Sequence, residues 1–322
     1  MAYGVFGPGA EQTIGFFLSP SFSMLPFVSA VESLRLANRL SGRNLFAWRI
    51  LTQDGAPVRA SNGMAQVPDG TMTDDAGLSM VLVCGPHEPH GYRAPKVYAW
   101  LRSMARHGTA MGGLCTGSYV LARAGLLNGY RCTIHWENLP GFAEAFPNID
   151  VTSELFEIDR DRYTCSGGTS SIDMMLHLIE RRYGHELAGA VSENMLIDRI
   201  RSPHDHQRMQ LRHRLGVSNN KLLQCVELME GNVEEPLTPE QLAASTGVSR
   251  RQIERLFRQH LQTTPARYYM TLRLRRGQQL LEQTSLPVTH VSLACGFTSA
   301  AHFSLRYREL YGVSPRAWRR LQ

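Results

Sequence analysis

A single pattern occurs twice near the C-terminal end of this sequence, at an offset of 50 residues. Like residues obey this offset in four pairs: Ile253 and Phe303, Phe257 and Tyr307, Pro265 and Pro315, and Tyr268 and Trp318. Each copy also has a glycine, Gly247 or Gly296, between two stretches with helical spacing, and these glycines are 49 apart. A repeat of this kind constrains the architecture more than any other feature. It predicts that residues 219–322 form an all-α domain with two helix-turn-helix motifs.

The second helix of each motif is the one expected to enter the major groove of double-stranded DNA. Ser249 is the predicted N-cap of a helix over 250–260, and Thr298 or Ser299 that of a helix over 300–310. The candidate DNA-contacting residues are Arg250, Arg251, Glu254 and Arg255 in the first motif, and Ser299, His302 and Arg306 in the second.

Arg251 and Arg255 are the best candidates for reading bases, because they lie one turn apart on one face of the first of these helices. Arginine recognises guanine through a bidentate hydrogen bond, which contributes about 1–3 kcal/mol of discrimination. Alternatively, some of these arginines contact phosphate alone or pair with Glu254.

The charge distribution agrees with a DNA-binding C-terminal part. The whole chain has 322 residues and a net charge of +6. Residues 219–322 contain 14 Lys and Arg, 8 Glu and no Asp, whereas residues 1–218 contain 20 basic and 20 acidic residues. All of the excess positive charge therefore lies in the part with the repeat, as expected for a protein that contacts phosphates.

Apolar runs and amphipathic stretches alternate over the first 200 residues. Strands are predicted at 13–19, 47–52, 80–84 and 109–114, a hairpin at 155–166, and helices at 22–40, 95–106, 116–127, 170–183 and 186–200. This alternation predicts an α/β domain with an open, mostly parallel sheet flanked by helices. Residues 201–218 are polar and basic and are predicted to be a linker between domains 1–200 and 219–322.

The sequence lacks the patterns of secreted, membrane-spanning and metal-binding proteins. The N-terminal twelve residues lack the features of a signal peptide, and no apolar run is long enough to span a bilayer. Six cysteines occur without metal-ligand spacing, and His204 and His206 have no third ligand nearby. We therefore expect a cytoplasmic protein with reduced thiols, no membrane contact, no metal and no cofactor.

Cys115 is predicted to lie at a sharp turn between a strand and a helix, between small residues. The N-terminal end of a helix favours a thiolate at such a position. A hydrolase would use Cys115 as nucleophile, His135 as base and Glu32 as the group that orients the base.

Residues 219–322 resemble the AraC/XylS family of transcription regulators. The resemblance rests on Gly296-Phe297, on Ser299 and His302-Phe303 of an S-x-x-H-F motif, and on Gly312 and Ser314-Pro315. It implies that the two motifs bind successive major grooves on one side of the DNA.

Residues 1–200 resemble the PfpI-like and class I glutaminase-like superfamily, whose members have a cysteine at this turn and a glutamate from the first helix. Hydrolytic members have histidine directly after the cysteine, but this chain has Thr116. We therefore expect no catalytic residue. The alternative is a PfpI-like cysteine hydrolase or glyoxalase fused to a DNA-binding tail.

The combination resembles the GlxA group of regulators. Three stretches, 115–118, 135–137 and 166–176, resemble members that sense quaternary amines such as glycine betaine or carnitine. The resemblance implies a small-molecule effector near the turn and a homodimer formed through the first domain. The candidate effector-binding residues are Phe22, Glu32, Cys115, Thr116, His135 and Trp136.

Trp136 and Phe22 offer aromatic faces for a quaternary ammonium, although an ordinary place in the core is the favoured explanation for each. Residues 166–170 begin a helix and could bind an effector carboxylate or simply cap that helix. The leading interpretation is a ligand-responsive transcriptional activator, with RNA polymerase as a further candidate partner. A third interpretation is a constitutive DNA-binding protein whose first domain only dimerises.

Overall fold

The computed structural model describes residues 12–208 and 210–321, so the expectation about the N-terminal twelve residues lies almost wholly outside it. The described residues divide into two compact units, one ending at Gln207 and the other starting at Arg208. The residues of the predicted 201–218 linker are divided between the two units. Leu155 donates its amide proton to the carbonyl of Pro203 in the first unit, and Val217 is buried in the core of the second.

A seven-stranded sheet forms the centre of the first unit. Its strands are β1 (Gln12–Leu18), β2 (Phe46–Thr52), β5 (Gly70–Thr71), β6 (Met80–Cys84), β7 (Ala110–Leu114), β10 (Phe156–Asp159) and β11 (Arg162–Cys165). The order is β10-β11-β7-β6-β1-β2-β5, and every pair is parallel except β10 with β11. The prediction of an open, mostly parallel sheet is confirmed.

Four short strands pair outside this sheet. They are β3 (Val58–Arg59) with β4 (Ala65–Gln66), and β8 (Arg131–Thr133) with β9 (Asp150–Thr152). All five residues of β6 are buried, because helices cover both faces of the parallel sheet.

The helices of the first unit are α1 (Met24–Ser41), α2 (Pro95–Arg106), α3 (Gly117–Arg123), α4 (Leu139–Ala145), α5 (Ser170–Tyr183) and α6 (His185–Asn194). One core is formed by α1, α5 and α6, and the other by α2, α3 and α4. The last helix is shorter than the sequence predicted, because Leu196 adopts a positive φ of 57° just beyond its end.

The second unit is helical. Its helices are α7 (Leu211–Leu215), α8 (Asn220–Gly231), α9 (Pro239–Thr246), α10 (Arg250–Leu261), α11 (Pro265–Gln283), α12 (Val288–Ala294), α13 (Ala300–Tyr311) and α14 (Pro315–Leu321). There are two cores, and the long α11 contributes Tyr269 to the first and Leu274 and Leu281 to the second. Both turn glycines have a left-handed backbone, which glycine adopts at little cost, with φ of 66° at Gly247 and 71° at Gly296.

Among the described residues, no helix has the length and apolarity needed to cross a bilayer. Within the same ranges, no three His, Cys, Asp or Glu side chains converge on a possible metal site.

Candidate effector cavity and DNA-reading helices

Cys115 lies at the strained turn that the sequence predicted. It connects β7 to α3 with a φ of 57°, which is unusual for a residue other than glycine. The neighbouring backbone is packed too closely for larger residues. A Cβ at Gly117 would lie 1.9 Å from the carbonyl oxygen of Val83.

The surroundings of Cys115 favour the thiol over the thiolate that a helix N-terminus would favour. Cys115 is buried, and burial raises the pKa of its thiol above the usual range. Ser23 Oγ donates a hydrogen bond to Cys115 Sγ over 3.8 Å, which only partly offsets the cost of burying a thiolate. The helix that follows is seven residues long and does not outweigh this desolvation.

The three residues of the hydrolase hypothesis do not assemble. Glu32 binds Arg35 on its own helix, with Oε2 2.6 Å from Nη2, and Ser23 is the α1-region side chain that reaches the sulfur. His135 Nδ1 lies 3.6 Å from Glu137 Oε2. Burial lowers the pKa of His135, so the ring is neutral near pH 7.

A cavity of about 200 Å³ opens beside the turn. Two of the predicted effector residues, His135 and Trp136, line it, and their ring centroids are 5.7 Å apart. The opposite wall is the start of α5, and Leu155, Arg201 and Gln207 complete the lining. Gly167 separates the cavity from Cys115, since a Cβ there would lie 2.8 Å from Sγ.

The other four predicted effector residues do not line this cavity, and their role in effector binding stays a prediction. Phe22 is fully buried and packs edge-on against Phe27, with centroids 5.7 Å apart. Thr116 is buried and donates to the carbonyl of Pro86 over 2.7 Å. Cys115 lies behind Gly167, and Glu32 is held by Arg35. A larger cavity of about 350 Å³ is lined by none of the predicted residues.

Sequence reasoning missed Arg201, because this residue falls in the predicted linker. Its Nε and Nη2 donate to Asp173 Oδ2 over 3.0 and 2.6 Å, and Nη2 also donates to Thr169 Oγ1 over 2.8 Å. Among the described residues, no hydrogen-bond partner contacts its Nη1. The one signal in the sequence was Asp173 itself, an acid on the apolar side of α5 that is 1% exposed.

Gln207 closes another part of the cavity wall. Its Nε2 donates to Thr133 Oγ1, to Ile134 O and to Glu154 O, over 3.0, 3.1 and 2.8 Å. Two carbonyl acceptors fix the orientation of the amide. The segment 201–207 is therefore anchored to the first unit at both of its ends.

The predicted DNA-contacting residues of α10 are exposed. Arg251, Glu254 and Arg255 lie on the side away from the buried Ile253. Arg250 is tied to Glu240, with Nη1 2.6 Å from Oε1, so the alternative pairing with Glu254 is not the one observed.

The predicted residues of α13 have local roles. Ser299 Oγ accepts a hydrogen bond from the backbone amide of His302 over 3.4 Å and is the N-cap. The ring of His302 packs against Phe297, with centroids 5.5 Å apart. Arg306 binds Glu309 over 2.8 Å and contacts His302 Nε2 over 3.3 Å.

Comparisons with known proteins cover nearly the whole chain. Residues 16–181 match the model of the DJ-1/PfpI family, and residues 242–321 match that of a helix-turn-helix domain. The HTH-type transcriptional regulator GbdR of Pseudomonas aeruginosa is 48% identical over 95% of this chain and 83% of its own length. The HTH-type transcriptional regulator CdhR of the same species is 49% identical over 95% of this chain and 90% of its own.

A solved structure supports the first unit. The crystal structure of an AraC family transcriptional regulator from Pseudomonas putida superposes with a TM-score of 0.54 and 32% identity, over 57% of this chain and 99% of that one.

Proposed function

This chain belongs to the AraC family of helix-turn-helix transcriptional regulators with a DJ-1/PfpI-type first domain, and on this premise we propose that it is an activator controlled by a quaternary amine that carries a carboxylate. The observation that supports this effector class is the cavity in which Trp136 and Arg201 face one space. An aromatic side chain suits the cation, and a guanidinium suits the carboxylate.

The cationic end of the effector binds beside Trp136. The neighbouring His135 is neutral because burial lowers its pKa, so it does not repel a cation. Glu137 Oε2 lies 3.6 Å from His135 Nδ1, so its negative charge is close to the cavity although Glu137 does not line it. A fixed positive charge with no hydrogen to donate is recognised by such surroundings.

The carboxylate end binds at Arg201 and at the start of α5. Arg201 is held rigidly by Asp173 and Thr169, which leaves Nη1 to donate to an incoming anion. The backbone amides at the start of this 14-residue helix add a second source of positive potential. The volume of about 200 Å³ is below the range of roughly 300–1,000 Å³ for drug-sized ligands, which restricts the effector to a small metabolite.

Base recognition in the first motif is assigned to Arg251 and Arg255, with Arg250 and Glu240 as a pair near the phosphates. The protein acts in the cytoplasm as a homodimer formed through the first unit and recruits RNA polymerase. The exposed side chains of Leu25 and Val28, one turn apart on α1, support a dimer contact there. We assign no catalytic role to Cys115, because burial raises the pKa of its thiol and, among the described residues, the side chain that donates a hydrogen bond to its sulfur is that of Ser23.

The effector assignment is tested by calorimetry on the full chain with glycine betaine, carnitine and choline. We expect the two carboxylates to bind and choline, which has no carboxylate, to bind at least tenfold more weakly. Trp136→Ala should weaken the carboxylates by about 1–2 kcal/mol, and Trp136→Phe should retain most of the affinity. Equal affinity for choline, or unchanged affinity in Trp136→Ala, would contradict the assignment.

A further inference from the structure

The two helices that face DNA have the same internal register. α10 and α13 begin at Arg250 and Ala300, 50 residues apart, and each is capped by a serine that accepts a hydrogen bond from the third backbone amide of its helix. Ile253 and Phe257 are buried in one core, and Phe303 and Tyr307 in the other. The buried positions of α10 at Ile253 and Phe257 therefore correspond to the buried positions of α13 at Phe303 and Tyr307, although Leu256 is buried and its counterpart Arg306 is exposed.

This register identifies the DNA-facing side of α13. An α-helix turns by about 100° per residue, so residues two places before and two places after Phe303 point away from the core. These residues are Ala301 and Leu305, and both are exposed, Leu305 to 55%. They are the counterparts of Arg251 and Arg255.

His302 and Arg306 lie to one side of that face. The counterpart of Arg306 on α10 is Leu256, which is 6% exposed and belongs to the core. At these lateral positions, His302 packs on Phe297 and Arg306 pairs with Glu309. The second motif therefore places apolar side chains where the first motif has arginines.

We propose that the second motif reads thymine through its 5-methyl group, with Leu305 as the main contact and Ala301 beside it. The thymine methyl is the apolar group that base pairs expose in the major groove, and apolar side chains recognise it by contact. The proposal rests on the proposed role of the two helices in reading DNA. It assigns guanine to the first motif and thymine to the second.

The surrounding charge favours DNA over an apolar protein partner at this surface. Arg308, three residues after Leu305, is exposed, and its counterpart Arg258 on α10 is also an exposed arginine. Both helices thus keep a cation at the same place beside the face, which suits a phosphate. At the centre of the face, the first motif has Arg251 and Arg255, and the second has Ala301 and Leu305.

The test uses duplexes selected by the full-length protein from a random pool. Deoxyuridine then replaces thymine one position at a time, which removes the methyl group and leaves the base-pairing edge intact. We expect replacement within the part bound by the second motif to weaken binding about fourfold for each methyl contacted. In Leu305→Ala, the preference for thymine over deoxyuridine should fall well below that of the wild type, and the remainder should disappear only when Ala301 is also replaced by Gly.

Three further variants make the result specific. Leu310→Ala removes another exposed leucine of α13, on the opposite side of the helix, and should keep the sensitivity to deoxyuridine. Arg255→Ala should lose discrimination for guanine and also keep that sensitivity. Leu305→Arg should change the preferred base from thymine to guanine, as expected from its counterpart in α10.

The proposal is overturned if deoxyuridine has no effect at any position, or if Leu305→Ala remains as sensitive to it as the wild type. It is also overturned if Leu305→Ala reduces transcription without changing affinity for DNA, because the leucine would then contact a protein. Failure of the wild-type chain to bind any duplex would instead refute DNA reading by these helices as a whole.

Discussion

Gly167 lines the cavity on one side and packs against Cys115 on the other. Its φ of 87° is available to glycine at little cost, and a Cβ would lie 2.6 Å from Cys115 Cβ. Gly168 has a φ of 58° but nothing within 4 Å of the Cβ position. An alanine at Gly167 would therefore suffer both backbone strain and steric overlap, whereas an alanine at Gly168 would suffer backbone strain alone.

We expect Gly167→Ala to lower the free energy of unfolding by about 2–4 kcal/mol, because it adds a clash in a packed region to the cost of a left-handed alanine. Gly168→Ala should cost about 1 kcal/mol, from the backbone alone. Urea denaturation of both variants measures the difference. Equal costs would mean that the contact with Cys115 relaxes freely.

His135 should make effector binding dependent on pH. Burial is the main reason that its pKa lies below the usual value of about 6.5; His87 lowers it further and Glu137 partly opposes this. A histidine with a lowered pKa favours the folded state above the unfolded pKa, and this contribution is lost as the pH falls through the folded pKa. Protonation would also place a cation beside the ammonium group of the effector.

Affinity for glycine betaine should therefore be constant above about pH 6.5 and fall below the lowered pKa, by at most about tenfold per pH unit. His135→Gln should flatten this profile between pH 5 and 8. Calorimetry over that range tests it, and a wild-type profile that stays flat would exclude His135 from the binding site.

At the scale of elements, the serine caps keep the two DNA-facing helices in matched register. Ser249 Oγ and Ser299 Oγ accept from the amides of Gln252 and His302 over 3.2 and 3.4 Å. Ser249→Ala and Ser299→Ala should each lower the free energy of unfolding by about 1 kcal/mol. Each variant should also weaken DNA binding, because the first turn carries the DNA-facing residues.

Aspartate at either position should restore stability, since it is an equally good cap, but its charge near DNA should keep the affinity low. Thermal unfolding and gel-shift titration separate the two effects. A stable Ser299→Ala variant would show that the long contact of 3.4 Å contributes little.

The elements themselves could be read from the sequence because their signals are local. The predicted bounds of Met80–Cys84, Pro95–Arg106 and Ser170–Tyr183 agree with the structure, since apolar periodicity and flanking residues define them. The site could be predicted only in part. His135 and Trp136 line the cavity. Nothing in the local sequence indicates that Phe22 forms β-bridges with Ala60 and Pro86, or that Glu32 binds Arg35.

Arg201 illustrates the limit more clearly. A polar, basic stretch predicts a linker. Arg201 becomes part of the cavity wall only because it binds Asp173, 28 residues earlier in the sequence. The sequence predicted DNA contacts on α13 from polar and charged residues, and these stay predictions; the proposal of Ala301 and Leu305 depends on the register between the two copies, which the structure makes visible.

At the scale of the molecule, the wall of the effector cavity is also the last stretch of the first unit. Arg201 and Gln207 line the cavity, and the second unit begins at Arg208. An effector held by Arg201 would thus fix the segment that leads directly into the DNA-binding unit. Under the proposed function, we therefore expect effector binding to act on the DNA-binding unit through this stretch of chain.

Asp173→Asn tests that route, because Asp173 accepts hydrogen bonds from the backbone amide, Nε and Nη2 of Arg201. Removing its charge should loosen residues 201–207 by about 1–3 kcal/mol, a cost moderated by the partial exposure of the arginine. Asp205→Asn is the control, since it breaks a more exposed pair with Arg199 on the same segment and should cost less than 1 kcal/mol.

Hydrogen exchange should therefore accelerate in residues 201–207 of Asp173→Asn, while the amides of α10 and α13 remain protected as in the wild type. Binding of operator DNA without effector should be unchanged, and the response to effector should be lost. If that response survives although the segment exchanges freely, control passes through the dimer contact rather than through this stretch of chain, because the segment would then carry no information about the occupied cavity.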